Sequence, residues 1–168
     1  MLICILGRFG SLQAQEISQE YRLKAAFLVN FARFITWPEQ SFSAKQQEFT
    51  ICVAGVNPFS NVLSAVESKQ INGRKIRVTY VDSLRKVPQC HLLYVSRSEE
   101  EDLAYLSTGI ALHPVVTVSD IPGFVKAGGS IEFILKENRL SFIINHSALK
   151  QRGIQAGASM LDLAASVR

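Results

Sequence analysis

Residues 131–144, IEFILKENRLSFII, hold two alternating apolar runs on either side of the dipeptide Glu137-Asn138. A two-residue turn there sets Leu135 opposite Leu140, Phe133 opposite Phe142 and Ile131 opposite Ile144. A slip of one residue breaks all three apolar pairs, so a hairpin with one burying face and one register is expected. Asn at the second turn position tolerates the positive φ that such a turn needs. The opposite face carries Glu132, Ile134, Lys136, Arg139, Ser141 and Ile143, a charged surface holding two isoleucines. Two readings compete for it: a docking surface for another protein, or a face covered by a helix of the same chain. Gly128 and Gly129 precede the first run and serve a tight turn. After the hairpin, NHSALKQRG reads as a short helix ended by Gly153, and SMLDLAASV as a final amphipathic one.

Upstream, the pattern alternates between periods. EISQEYRLKAAFLVNFARFIT (16–36) places Leu23, Phe27, Phe31 and Phe34 at helical spacing, with Leu28 and Ile35 widening the arc. Lys24 falls within that arc, so its stem is expected to lie along the surface with its amine in water. Pro38 ends the helix through its effect on Trp37. Trp37, the lone tryptophan, fits core packing better than its alternative, an anchor at a partner surface. FTICVAG (49–55) reads as a buried strand and NPFSNVLSAVES (57–68) as a helix with Pro58 in its first turn. KIRVTYV, after the Asn72-Gly73 turn, alternates as a strand. HLLYVS (91–96) is another buried strand, SEEEDLAYLS a helix capped by Ser98, and PVVTVSD (114–120) the next strand. Strands alternating with helices predict an α/β fold: a single domain with a mixed β-sheet, helices on both faces, and a C-terminal β-hairpin with short helices.

The first residues, MLICILGRFGSLQA (1–14), have the apolar run and small-residue end of a signal peptide, although no charge precedes the run and Arg8 interrupts it. The expected mature domain is 15–168, exported and soluble, and no later run of apolar residues is long enough to span a bilayer. Export leaves Cys52 and Cys90, either a disulfide or two small buried hydrophobes. The charge of +4 comes with no basic block interleaved with aromatics, which argues against nucleic-acid binding.

Chemistry is scarce. GVNPF after the first strand has one glycine where a phosphate loop needs several. Neither Gly55-Val56-Asn57 nor Ser96-Arg97 offers the strand-end carboxylates of a phosphoacceptor site. His91, His113 and His146 lack metal-ligand spacing, and no serine stands in a nucleophile elbow. The expectation is a binding protein without catalytic residues, metal or cofactor.

Two stretches carry a resemblance: KAAFLVNFARFITWP (24–38), with Phe27, Phe31, Trp37 and Pro38, and GGSIEFILKENRLSFIINHSALKQRGIQAGASMLDLAASV (128–167), with Gly128, Gly129 and Asn145. Together they resemble the YfiR family of periplasmic proteins. The resemblance implies a regulator that binds the periplasmic sensor domain of an inner-membrane diguanylate cyclase and inhibits it, lowering cyclic di-GMP and biofilm formation. It implies a homodimer, no membrane insertion, and a Cys52–Cys90 bridge, one of the family's intradomain disulfides. A second bridge of some relatives has no counterpart, since no cysteine follows Cys90. The expected partner surface is Glu132, Ile134, Arg139 and Ile143. The alternative is a small-molecule binding protein with its ligand beyond the strands' carboxyl ends, between Gly55–Phe59 and Ser96–Ser98.

Overall fold

The computed structural model describes residues 9–42, 47–87 and 89–168, with side chains described from Gln19 on. Of the expected leader, residues 1–8 lie outside the described residues. The backbone is helical from Phe9, and α1 (Phe9–Phe34) runs into a two-residue strand β1 (Ile35–Thr36). Next come β2 (Phe49–Ala54), β3 (Gln70–Ile71), β4 (Arg74–Val81), β5 (Leu92–Val95), α2 (Tyr105–Thr108) and β6 (Val116–Ser119). The hairpin strands β7 (Ile131–Lys136) and β8 (Arg139–Ile144) precede α3 (His146–Gln151), β9 (Gln155–Ala156), α4 (Ala158–Leu163) and β10 (Ser166–Val167).

Eight strands form one mixed sheet in the order β10-β8-β7-β6-β5-β2-β4-β3, and β1 pairs with β9 in a small antiparallel sheet. The five strands β4, β2, β5, β6 and β7 are parallel, while β8 returns antiparallel to β7. The sheet is buried on both faces because its central strands are apolar at successive positions. Phe49, Ile51 and Val53 of β2 and Leu92 and Tyr94 of β5 face one core with α1, whereas Cys52, Ala54, Leu93 and Val95 face a second core with Leu84, Leu106, Ile110 and Phe124.

The hairpin has the register expected of it: Ile131↔Ile144, Phe133↔Phe142 and Leu135↔Leu140. Glu137 and Asn138 both take positive φ, 51° and 61°, so the turn is of the primed kind whose twist matches the strands. Phe27 and Phe31 of α1 pack their rings on Phe133 and Phe142, at centroid distances of 4.9–5.9 Å. Gly128 holds a φ of +100°, and a Cβ on Gly129 would fall 2.2 Å from the Phe124 ring. Asn145 caps α3 by accepting from Ala148 N at 3.0 Å and donates to Val125 O, tying helix to loop.

Several local expectations are corrected. The buried arc of α1 is rotated: Ala25, Leu28, Val29, Phe31, Ala32 and Ile35 are buried, while Leu23 and Phe34 are nearly half exposed. Lys24 lies in the buried arc at 1% exposure, so its amine is out of water. Residues 57–68 form no α-helix. The Asn57 side chain accepts from Phe59 N, Ser60 takes a φ of +52°, and only a 3₁₀ helix, Leu63–Ser68, follows. Phe59, Leu63 and Val66 still reach the core. Ser98 caps no helix; its Oγ accepts from Val56 N at 2.9 Å, and the segment is a 3₁₀ helix, Arg97–Asp102, followed by α2. The last amphipathic segment divides into α4 and β10, the latter pairing parallel with Ile143 and Ile144.

Trp37 packs in the core, edge-on to Phe49, and donates from Nε1 to His91 O at 3.0 Å. His91 stacks between Phe42 and Phe49, accepts from Thr50 N on Nδ1 at 2.9 Å, and meets Ser41 O with Nε2 at 3.0 Å. That pairing fixes the Nε2–H tautomer, and burial holds the ring's pKa below its usual value.

Candidate functional site

The parallel strand order β4-β2-β5-β6-β7 places a topological switch between the carboxyl ends of β2 and β5, where doubly wound folds hold ligands. Here that place is filled. A Cβ on Gly55 would lie 2.2 Å from Ser98 Oγ, and Phe59 packs edge-on to Tyr94 at 4.7 Å. Gly55 and Ser98 therefore close on each other there, and of these two segments Arg97 lines a crevice further along.

The open space lies further along the same edge of the sheet. A crevice of about 350 Å³ is bounded by Glu20 and Lys24 of α1, by Arg97 and Asp120 beyond β5 and β6, and by Phe133–Leu135 of β7. Its inner wall is a buried charge cluster. Lys24 Nζ lies 2.5 Å from Asp120 Oδ2 and 2.5 Å from Glu20 Oε1, and sits over the Tyr21 ring. Tyr21 donates to the same Asp120 oxygen at 3.1 Å, and Arg97 Nε lies 3.3 Å from Asp120 Oδ1. Burial pushes the Asp120 carboxyl up, but Lys24 and then Arg97 outweigh it and hold the pKa below its ordinary value. Burial, then the Asp120 charge, pushes the Tyr21 phenol to about 12 and also raises that of Tyr94. The protons therefore stay on both phenols and off the Asp120 carboxyl near neutrality.

Of the residues expected at a partner surface, Glu132 is buried, at 7% exposure. Its carboxylate accepts from Gly123 N and Val125 N, both at 3.0 Å, and so pins the β6–β7 connection. Arg139 is exposed, and Ile134 and Ile143 are half-buried without joining either core. Leu135, on the other face, is 69% exposed. Ile134, Leu135 and Arg139 lie where the hairpin outruns its neighbours, whereas Ile143 lies where β10 pairs with β8: β6 pairs with β7 only as far as Glu132, and β10 pairs only with Ile143 and Ile144 of β8.

The charge cluster was not anticipated from the sequence, although Lys24 inside an apolar helical arc and Asp120 at the end of a buried strand were its traces. Cys52 and Cys90 are joined, with Cα atoms 6.0 Å apart. A second cavity, about 380 Å³, is lined by Cys90, Leu84, Tyr105, Ile110 and Val115 at the other end of the strands. Among the described residues no group of three His, Cys, Asp or Glu side chains is placed to hold a metal ion. No helix among them is long and apolar enough to cross a membrane.

No curated protein matches the chain. Residues 21–165 match the family described as YfiR/HmsC-like (DUF4154), a span from the Tyr21 of the charge cluster to the residue that precedes β10. The chain belongs to the YfiR/HmsC-like family.

Proposed function

We propose that this protein is exported, binds the periplasmic sensor domain of a membrane diguanylate cyclase and holds the cyclase inactive, lowering cyclic di-GMP and with it biofilm formation. Family membership supports a periplasmic regulator of diguanylate cyclase that acts by contact rather than catalysis. The structural observation that supports the contact is the hairpin, where Ile134 on the projecting part and Ile143 beside β10 lie half-buried outside both cores. Apolar side chains set among charges at a surface are what an interface buries, and a few such anchors dominate binding energy. Arg139, exposed at the turn, supplies charge that fixes orientation and encounter rate. Glu132 contributes from beneath, by holding the loop against the base of the strand.

A repressor of this kind must favour the off state of its target. Taking a two-state sensor from mostly on to mostly off needs a difference in affinity of about 5.5 kcal/mol. The homodimer belongs to the same proposal, and sedimentation of the purified protein reads it. So does removal of residues 1–14, which gives Gln15 as the first residue of the periplasmic protein. The decisive experiment places aspartate at Ile134 and at Ile143 singly. The proposal expects folded variants that lose binding to the sensor domain and leave the cyclase active. Retained binding and silencing by both places the surface elsewhere.

A further inference from the structure

β7 pairs with β6 through Ile131 and Glu132 and then continues through Lys136 with no strand of the described chain on that side. The primed turn at Glu137-Asn138 makes Lys136 and Arg139 a mutually bonded pair, and the alternation that follows commits Ile134 and Glu132 to β8 as well. The N–H and C=O of Leu135 and the C=O of Phe133 therefore point away from β8, into the crevice beside Lys24, Arg97 and Asp120. A sheet edge with unpaired backbone groups is a template for another strand, and proteins normally cover, shorten or twist such edges. Here the edge is left open, flanked by the exposed Leu135 side chain.

We propose that the regulatory partner binds by strand addition: an extended segment of its polypeptide pairs with Phe133–Lys136 along the open edge of β7 and sets an acidic side chain against Arg97. This deepens the reading of the protein as a sensor-binding repressor and rests on it. Main-chain hydrogen bonds give such a mode its affinity, and alternate side chains give it specificity. The occupant is a strand because the crevice offers backbone donors and acceptors at strand spacing. It carries an acid because the Arg97 guanidinium, 64% exposed, meets Asp120 through Nε and Nη2 alone and at 3.3–3.4 Å, leaving N–H donors for an incoming carboxylate. Lys136 and Arg139, exposed at the hairpin's end, add positive charge to the approach. The segment's apolar residues fall on the Leu135 face of β7, continuing the α1-facing layer.

The test compares two prolines. Leu135→Pro removes the N–H on the open β7 edge, and Leu140→Pro removes its cross-strand counterpart on the β8 edge; neither N–H belongs to the hairpin's own ladder. The probes are the periplasmic domains of the organism's membrane diguanylate cyclases, expressed singly, with the full repressor as ligand. Leu135→Pro is expected to weaken binding at least about tenfold and Leu140→Pro less than about threefold, with circular dichroism confirming that both fold. Hydrogen exchange of the unmodified protein supplies a readout that needs no variant: the Leu135 amide exchanges freely alone and becomes protected in the complex. Arg97→Gln is expected to slow association. If the sensor domain binds while the Leu135 amide stays unprotected, or if Leu140→Pro is the damaging change, strand addition on β7 is wrong and the repressor reading survives. If no sensor domain binds the wild-type protein, both readings fall.

Discussion

Lys24 and Asp120 form an ion pair closed to solvent at both ends, joining α1 to the carboxyl end of β6 across 96 residues of sequence. Two charges removed from water recover their desolvation cost only through each other and through further hydrogen bonds, which Tyr21, Glu20 and Arg97 supply. Removing one partner strands the other. Lys24→Met is expected to destabilise the fold by about 3–5 kcal/mol in urea unfolding, and the double variant Lys24→Met/Asp120→Leu to recover much of that loss. Equal instability of the single and double variants would show that the pair is not what the site depends on.

The same pair sets the acid limb of stability. Asp120 has a folded-state pKa below its ordinary value, so its contribution is complete above about pH 4 and is lost as pH falls through the lower, folded value. His91 acts in a different window. Its folded pKa is also depressed, here by burial, so the folded state prefers the neutral ring, and stability declines as pH falls from about 6.5 toward that lower value. Urea midpoints measured from pH 8 to pH 3 should therefore fall in two stages. Asp120→Asn should flatten the lower stage and His91→Gln the upper one, each leaving the other in place.

How much of this was legible in the sequence depended on whether the determinant was local. The hairpin register was readable because three apolar pairs and a two-residue turn point to the same pairing. The rotation of α1 was not. Phe residues draw attention to one arc, yet the partner of Lys24 is Asp120 at a distant strand end, and that contact turns the buried face toward Ala25, Val29 and Ala32. Residues 57–68 have helical spacing of their apolar positions, but Asn57 bonds the nearby Phe59 N–H first, and Phe59 from that loop with Leu63 and Val66 from a 3₁₀ helix fill the core instead. The proposed partner surface carried mixed signals in the sequence. Isoleucines on a polar face marked it, whereas the burial of Glu132 depends on a loop that no periodicity reveals.

The Cys52–Cys90 bridge ties β2 to the segment that leads into β5, at a sequence separation of 38. Closing a loop of that size stabilises the folded state by about 4 kcal/mol in the chain-entropy account. Cys52→Ser is expected to lower the melting temperature under non-reducing conditions, and dithiothreitol to lower that of the wild type but not of Cys52→Ser. Alkylation of the native protein without reductant should label neither thiol. Two labelled cysteines on intact mass would contradict the bridge.

Glu132 and Ile134 are two residues apart on one face of β7, and mutation should separate their proposed roles. The Glu132 carboxylate satisfies two backbone N–H groups from within the fold, so Glu132→Ala leaves two donors without acceptors and should cost about 2–4 kcal/mol. Glu132→Gln keeps one acceptor oxygen and should cost less. Ile134 belongs to neither core, so Ile134→Asp should leave the melting temperature within a few degrees of wild type. Binding reverses the order: with the sensor domain in excess and at a temperature where all variants are folded, Glu132→Gln should bind nearly as wild type and Ile134→Asp should not bind. A Glu132→Gln variant that is fully stable yet fails to bind would move Glu132 from the scaffold to the interface, and with it the boundary between what holds this hairpin up and what it offers to a partner.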